Sequence, residues 1–121
     1  MTGSREAAVI AARAAASKQA RDVVVLDVRD LIVITDYFVI ASGTSDRQVR
    51  AVAEEIEGAV RPLGLRPVRR EGQREGHWVL LDFVDFVAHV FQDDDRQFYG
   101  LERLWADAPP VDWEERVVRS G

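Results

Sequence analysis

Cysteine is absent from all 121 residues, which rules out disulfides, a thiol nucleophile and any metal site built on thiolates. Long hydrophobic runs are missing as well. No uncharged apolar stretch approaches the ~20 residues that a membrane-spanning helix requires, and the N-terminus has no apolar core of a secretory signal. A cytoplasmic location, away from any membrane, is therefore the expectation. Lysine is nearly absent, one against fifteen arginines, a bias that looks like codon usage and not like a constraint of the fold. Histidines number only two, His77 and His89, and no serine stands in a nucleophile elbow, so a hydrolase triad has no support.

The composition that remains is that of a folded protein: 47% hydrophobic and 31% charged residues, enough apolar surface for one core and a length that fits one domain. The net charge is −5. A protein that binds RNA by displacing counterions needs a large basic face, and none is evident along the chain, so direct nucleic-acid recognition is not expected. An acidic protein of this size is better suited to a basic protein surface, where opposite potentials speed encounter and fix orientation.

The alanine-rich run from about Ser4 to Ala20 predicts a helix, since neither glycine nor proline interrupts it and Ser4 can cap it. Its basic residues, Arg5, Arg13, Lys18 and Arg21 against the single acid Glu6, superficially suit a transit peptide, but the helix reading is preferred. Asp22 to Val28 predicts a buried strand, Ile32 to Ile34 a short strand or extended loop, and Tyr37 to Ser42 a second clear strand. Val49, Val52, Ala53, Ile56, Val60 and Leu63 fall on one stripe of a helix. Ser45 and Gln48 have capping-box spacing, and Gly64 supplies the stop.

Leu65 to Arg70 reads as an edge strand, protected by Pro67 and its arginines. His77 to Asp82 and Phe86 to Phe91 form a hairpin around Phe83-Val84-Asp85. A last helix is expected from Asp93-Asp94-Asp95, acids that suit the positive end of a helix dipole, to about Trp105. Residues 1–107 are expected to form the domain and 108–121 a mobile C-terminal tail, with Trp113 and Val117-Val118 able to dock locally.

Two chemical readings of these residues compete. Gly43-Thr44-Ser45, between a strand and a helix, can offer backbone amides to a phosphate, yet the further glycines and the lysine of a phosphate loop are missing; a tight turn with an N-cap accounts for it. Asp82 and Asp85 flank a turn, and Asp93 to Asp95 sit at a helix start where adjacent side chains diverge, so neither group promises the convergent oxygens of a two-metal site. No cofactor and no metal is expected. His89 alternates with Val87 and Phe91 on a strand and reads as a hydrogen-bonded structural histidine. By helix geometry, Phe98, Leu101 and Trp105 share one face while Tyr99, Glu102 and Arg103 point elsewhere. Not all of these aromatics can be buried, and exposed tyrosine or tryptophan amid arginine and acids is typical of a binding hot spot.

Asp36-Tyr37-Phe38-Val39-Ile40, Gly43-Thr44-Ser45-Asp46-Arg47-Gln48-Val49 and the series Trp78, Asp82, His89, Val90, Arg96, Tyr99, Leu101-Glu102, Leu104-Trp105 occur in one order. That order resembles the ribosome silencing factor, or Iojap, family, from the first helix to about Trp105. The resemblance implies a nucleotidyltransferase-like α/β fold, a mixed sheet of about five strands flanked by helices. It also implies a repressor without enzymatic activity that binds ribosomal protein L-fourteen of the large subunit and keeps the small subunit away by sterics. Organellar relatives assist large-subunit assembly. On this reading Trp78 and Tyr99 anchor the partner, Asp82, Arg96 and Glu102 set orientation, and Phe91 and Trp105 support the surface from beneath. A homodimer, paired through apolar residues left on the sheet or on the first helix, is compatible with it. The competing reading is a nucleotide-binding enzyme using Gly43, Ser45 and a carboxylate, although no strand with two carboxylates follows the turn.

Overall fold

Alanine's helix propensity and the absence of helix breakers give α1 (Ser4–Ser17). Its cap differs from expectation: the N-cap is Gly3, and the Ser4 hydroxyl instead donates to the Asp36 carboxylate at 2.8 Å, tying the helix to the loop before the second strand. The computed structural model describes residues 3–114. After α1 come β1 (Arg21–Asp27), β2 (Tyr37–Gly43), α2 (Asp46–Val60) running into a 3-10 turn (Arg61–Leu63), β3 (Arg69–Glu71), β4 (Trp78–Asp82), β5 (Phe86–Gln92), α3 (Asp93–Tyr99) and the short α4 (Leu101–Leu104). The strands form one mixed sheet in the order β1-β2-β5-β4-β3. Only the central pair, β2 and β5, is parallel. This is the single α/β domain with a five-stranded mixed sheet that the sequence predicts.

Every residue of β2 is buried, which is why it reads as an uninterrupted apolar run: helices cover both faces of the sheet there. On one face α1 and α2 pack over Val25, Tyr37, Val39, Val79, Leu81 and Phe86. The stripe of α2 behaves as expected, with Val49, Val52, Ala53, Ile56 and Val60 buried. Its cap is a small network. Ser45 Oγ accepts the Gln48 amide at 3.1 Å, Gln48 Oε1 accepts the Thr44 amide at 2.8 Å, and Gln48 Nε2 donates to the Lys18 and Gln19 carbonyls at 3.3 and 3.1 Å. One glutamine thus joins the end of α1 to the start of α2.

The opposite face holds a second, smaller core of Leu26, Val28, Phe38, Ile40 and Phe91, against which Trp78, Leu101 and Trp105 pack. α3 and α4 lie over it. They do not form one helix, as the sequence suggested, because Gly100 takes a left-handed conformation (φ 58°) and restarts the chain in a new direction. The shared face expected for Phe98, Leu101 and Trp105 is broken by that glycine: Phe98 is 81% exposed, whereas Leu101 and Trp105 turn into the second core.

Two other expectations change, and one pair of alternatives is decided. β3 is only three residues long, since Pro67 has no amide to give a ladder and the pairing with β4 begins at Arg69 opposite Asp82. Of the short strand or extended loop expected at residues 32–34, the structure has the loop, and Val33 and Ile34 point into solvent. The domain does not stop at residue 107: Ala108 and Val111 are buried, the Asp27 amide donates to the Pro109 carbonyl at 2.9 Å, and the Val111 amide donates to the Val25 carbonyl at 2.8 Å. Residues 108–114 therefore close the free edge of β1 as a strap, and Trp113 docks by donating its indole N–H to the Val23 carbonyl at 2.9 Å. Val117-Val118 lies outside the described residues.

On helix α1, Ala7, Ala8, Ala11, Ala12, Ala14 and Ala15 are buried within the fold, while Val9 and Ile10 are partly buried against the same core. Among the described residues, no helix is long and apolar enough to cross a membrane.

Candidate partner-binding surface

The hairpin of β4 and β5 delivers alternate side chains to the face that α3 and α4 half cover, so Trp78, Leu80 and Asp82 share a side with Val87, His89 and Phe91. At the end of β5 the chain passes directly into α3, which brings Tyr99 back over the strand it came from. Trp78 is the centre of the resulting cluster. Its ring lies 4.7 Å from Phe91 and 4.8 Å from Tyr99, centroid to centroid. Phe91 is fully buried and supports the other two from beneath, while Tyr99 is 49% exposed and Phe98, in edge contact with Tyr99 at 5.2 Å, stands out from the surface. Leu104 is 73% exposed on the neighbouring α4.

His89 is fixed below this cluster. The Trp78 indole can only donate, so His89 Nδ1, 3.2 Å away, accepts and the ring carries its proton on Nε2. Burial pushes the imidazole pKa down to about 4, and the ring is neutral at physiological pH. Phe38 packs its edge on the same imidazole at 5.1 Å and meets Trp105 at 5.4 Å, which makes Trp105 a lid on the second core.

The other expected site residues go elsewhere. Arg96 is not a rim charge: it is buried, donating from Nε to the Glu102 carboxylate and from Nη1 to Ser42 Oγ, both at 2.7 Å. Glu102 is half spent on that bond. Asp82 sits at the far end of β4 from Trp78, about 14 Å away at ~3.4 Å per residue, where its Oδ1 accepts the Val84 amide at 2.8 Å and shapes the hairpin turn. The acids at the start of α3 are not caps; the N-cap is Gln92, with no side-chain bond. Asp93 pairs with Arg21 at 3.0 Å and Asp95 with His77 at 3.2 Å, while Asp94 faces solvent one turn before Phe98.

The turn at Gly43-Thr44-Ser45 spends its polar groups on the α2 cap described above. The strand that follows α2 is Arg69-Arg70-Glu71, with one carboxylate and two cations. Among the described residues, no three histidine, aspartate or glutamate side chains converge on a metal-sized point.

Comparison with known proteins adds the family. The model described as "Ribosomal silencing factor during starvation" matches residues 2–120. The chain belongs to the ribosomal silencing factor family. It is 45% identical over 103 residues to the ribosomal silencing factor of Bacillus subtilis, spanning 85% of this chain and 87% of that one. A crystal structure of a protein from Chromobacterium violaceum superposes with a TM-score of 0.84 at 31% identity, covering 87% of this chain and 88% of that chain. The mouse protein named mitochondrial assembly of ribosomal large subunit protein 1 is 36% identical over 91 residues, 73% of this chain and 40% of its own length.

Of the residues that the sequence singled out in this chain, the fold brings Trp78, Phe91 and Tyr99 into one cluster, sets Trp105 behind it, locks Arg96 to Glu102, and leaves Asp82 apart. Sequence reasoning missed Phe98 and Leu104 as surface residues. The signal was available in Gly100, since a glycine between Tyr99 and Leu101 is the usual mark of a helix end.

Proposed function

We propose that this silencing factor is a translational repressor that binds the large ribosomal subunit through ribosomal protein L-fourteen and sterically blocks joining of the small subunit, lowering protein synthesis under nutrient limitation. Membership of the family supports the ribosome as the partner. The observation that carries the choice of surface is the aromatic ridge of Phe98 and Tyr99, exposed over a rigid floor of Trp78 and Phe91. Rigid aromatic side chains give large contact area at little entropic cost. Asp94 beside the ridge and the chain's net charge of −5 suit the basic surface typical of a ribosomal protein. Action by occlusion requires no catalysis, and none is assigned to the protein; nucleotide with magnesium should produce no binding heat in a calorimeter.

Sucrose-gradient sedimentation tests the reading. Added protein should travel with free large subunits and reduce the joined-ribosome peak. An unchanged joined-ribosome peak, with no protein in the large-subunit fractions, would overturn it. The name of the mitochondrial relative supports a second reading, assistance in large-subunit assembly. Cells lacking the protein would then accumulate immature large-subunit particles even in rich medium.

A further inference from the structure

The net negative charge hides a local excess of the opposite sign. Between residues 61 and 74 stand Arg61, Arg66, Arg69, Arg70 and Arg74 against the single acid Glu71, and all five arginines are exposed at the β3 edge of the sheet. The register places Arg70 on the α2 side, opposite Leu81, and Arg69 on the other side, opposite Asp82. Arg70 bonds Glu57 of α2 at 2.7 Å, which neutralises the carboxylate that lines the neighbouring cleft. Arg61, Arg66 and Arg70, together with Glu57, line a cleft of about 170 Å³, room for a phosphate and a few waters at about 30 Å³ per water. Among the described residues no ion pair engages Arg61, Arg66, Arg69 or Arg74. Asp82, the acid opposite Arg69, turns an oxygen to the Val84 amide.

Exposed like charges held close together by a strand and a helix end repel one another, and beyond the Glu57 bond and the discouragement of edge-to-edge pairing the fold gains nothing from the arrangement. A polyanion would. The planar fork of arginine matches phosphate oxygens, and release of condensed counterions adds a driving force that an isolated anion lacks. We infer that the β3 edge is a second contact surface, in which Arg61, Arg66 and Arg69, with Arg70 behind them, hold backbone phosphates of RNA without reading its sequence. The inference rests on the proposed function: on a ribosome the basic proteins would be repelled by this edge, and the RNA would be attracted. The aromatic ridge would take the protein partner and the arginine edge the RNA beside it.

Fluorescence anisotropy with a short labelled RNA duplex tests this directly, using the full chain and the triple variant Arg61→Gln, Arg66→Gln, Arg69→Gln. The full chain should bind at about 50 mM salt and weaken steeply toward about 200 mM, and the triple variant should flatten the slope of log affinity against log salt by about 2–3, a little under one per lost phosphate contact. All three residues are exposed, so melting should be nearly unchanged. Absence of binding by the full chain at low salt, or identical curves for the two proteins, overturns the inference. Tighter arginine-dependent binding to labelled polyglutamate than to RNA overturns it too, in favour of an acidic protein. A parallel assay with purified L-fourteen keeps the two proposals apart. The triple variant should retain L-fourteen binding, and a full chain that binds RNA but not L-fourteen would overturn the proposed function alone.

Discussion

Arg96 and Glu102 meet across the Gly100 break, Nε to Oε1 2.7 Å, and the same guanidinium reaches Ser42 Oγ at 2.7 Å on β2. One side chain thereby clamps the α3–α4 corner onto the sheet. Replacing Arg96 by alanine removes these two bonds and a longer one to the Arg21 carbonyl at 3.4 Å from a side chain only 10% exposed, and about 2–3 kcal/mol of stability should go with them. Glu102→Gln should cost about 1 kcal/mol or less, because Glu102 is 44% exposed and water replaces much of what is lost. Urea unfolding of the two variants measures both figures. Equal costs would show that the clamp works through Glu102 and not through Ser42.

Neutral His89 makes the fold sensitive to acid. Its pKa is about 4 when folded against an ordinary 6.5, so the unfolded chain binds the extra proton first. The contribution of this group is present above about pH 6.5 and is lost as the pH falls through that value toward 4, up to about 3 kcal/mol in all. Melting temperature should fall across that window, and His89→Gln, which keeps a hydrogen-bonding group beside Trp78, should show a shallower fall. Parallel pH profiles for the two proteins would remove His89 from the account.

What the sequence shows, and what it conceals, follows from how local each signal is. The α2 stripe, the Ser45 cap, the β4–β5 hairpin and the buried β2 depend on neighbours in the chain, and all appear where the pattern puts them. The strap over β1 depends on pairing between residues more than eighty positions apart, for which Pro109-Pro110 gives no cue. Arg96 looked like a surface charge because its partner Ser42 lies 54 residues away. The arginine edge was visible as letters, yet net charge averages it against acids elsewhere in the chain, and only the fold shows which of those arginines lack a carboxylate partner among the described residues.

The aromatic ridge separates binding from stability residue by residue. Phe98, 81% exposed, should cost less than about 0.5 kcal/mol of stability when changed to alanine, yet weaken binding to L-fourteen. Tyr99→Ala should cost about 2 kcal/mol of binding, roughly thirtyfold in affinity, if it is a central anchor. Trp78→Ala should lose both, since its ring is part of the second core as well as the floor of the ridge. Thermal melts beside affinity measurements give the comparison. Unchanged affinity in folded Phe98→Ala and Tyr99→Ala proteins would move the interface off this surface.

Asp94 offers a contrast at the same helix. It does not cap α3, so Asp94→Ala should change stability by about 0.5 kcal/mol or less, the small loss of an acid from a first helical turn. A loss above about 1 kcal/mol would restore the capping role that the structure gives to no side chain.

The strap makes the last prediction. β1 is an outer strand whose free amide and carbonyl groups are occupied by Pro109 and Val111, and Trp113 fixes the strap by donating to Val23 while its carbonyl accepts from Arg13 of α1. An uncovered edge of this kind, with Val23, Val24 and Val25 along it, is a template for pairing with another chain. Removing residues 108–121 should lower stability by on the order of 3 kcal/mol through exposure of Val111 and the Trp113 contact surface. It should also make the protein self-associate, seen as a sedimentation coefficient that rises with concentration more steeply than for the full chain. Trp113→Ala, which keeps the backbone bonds of Pro109 and Val111, should lose part of the stability without the association. If the truncated protein melted and sedimented like the full chain, the strap would be decoration on a sheet edge that needs no cover.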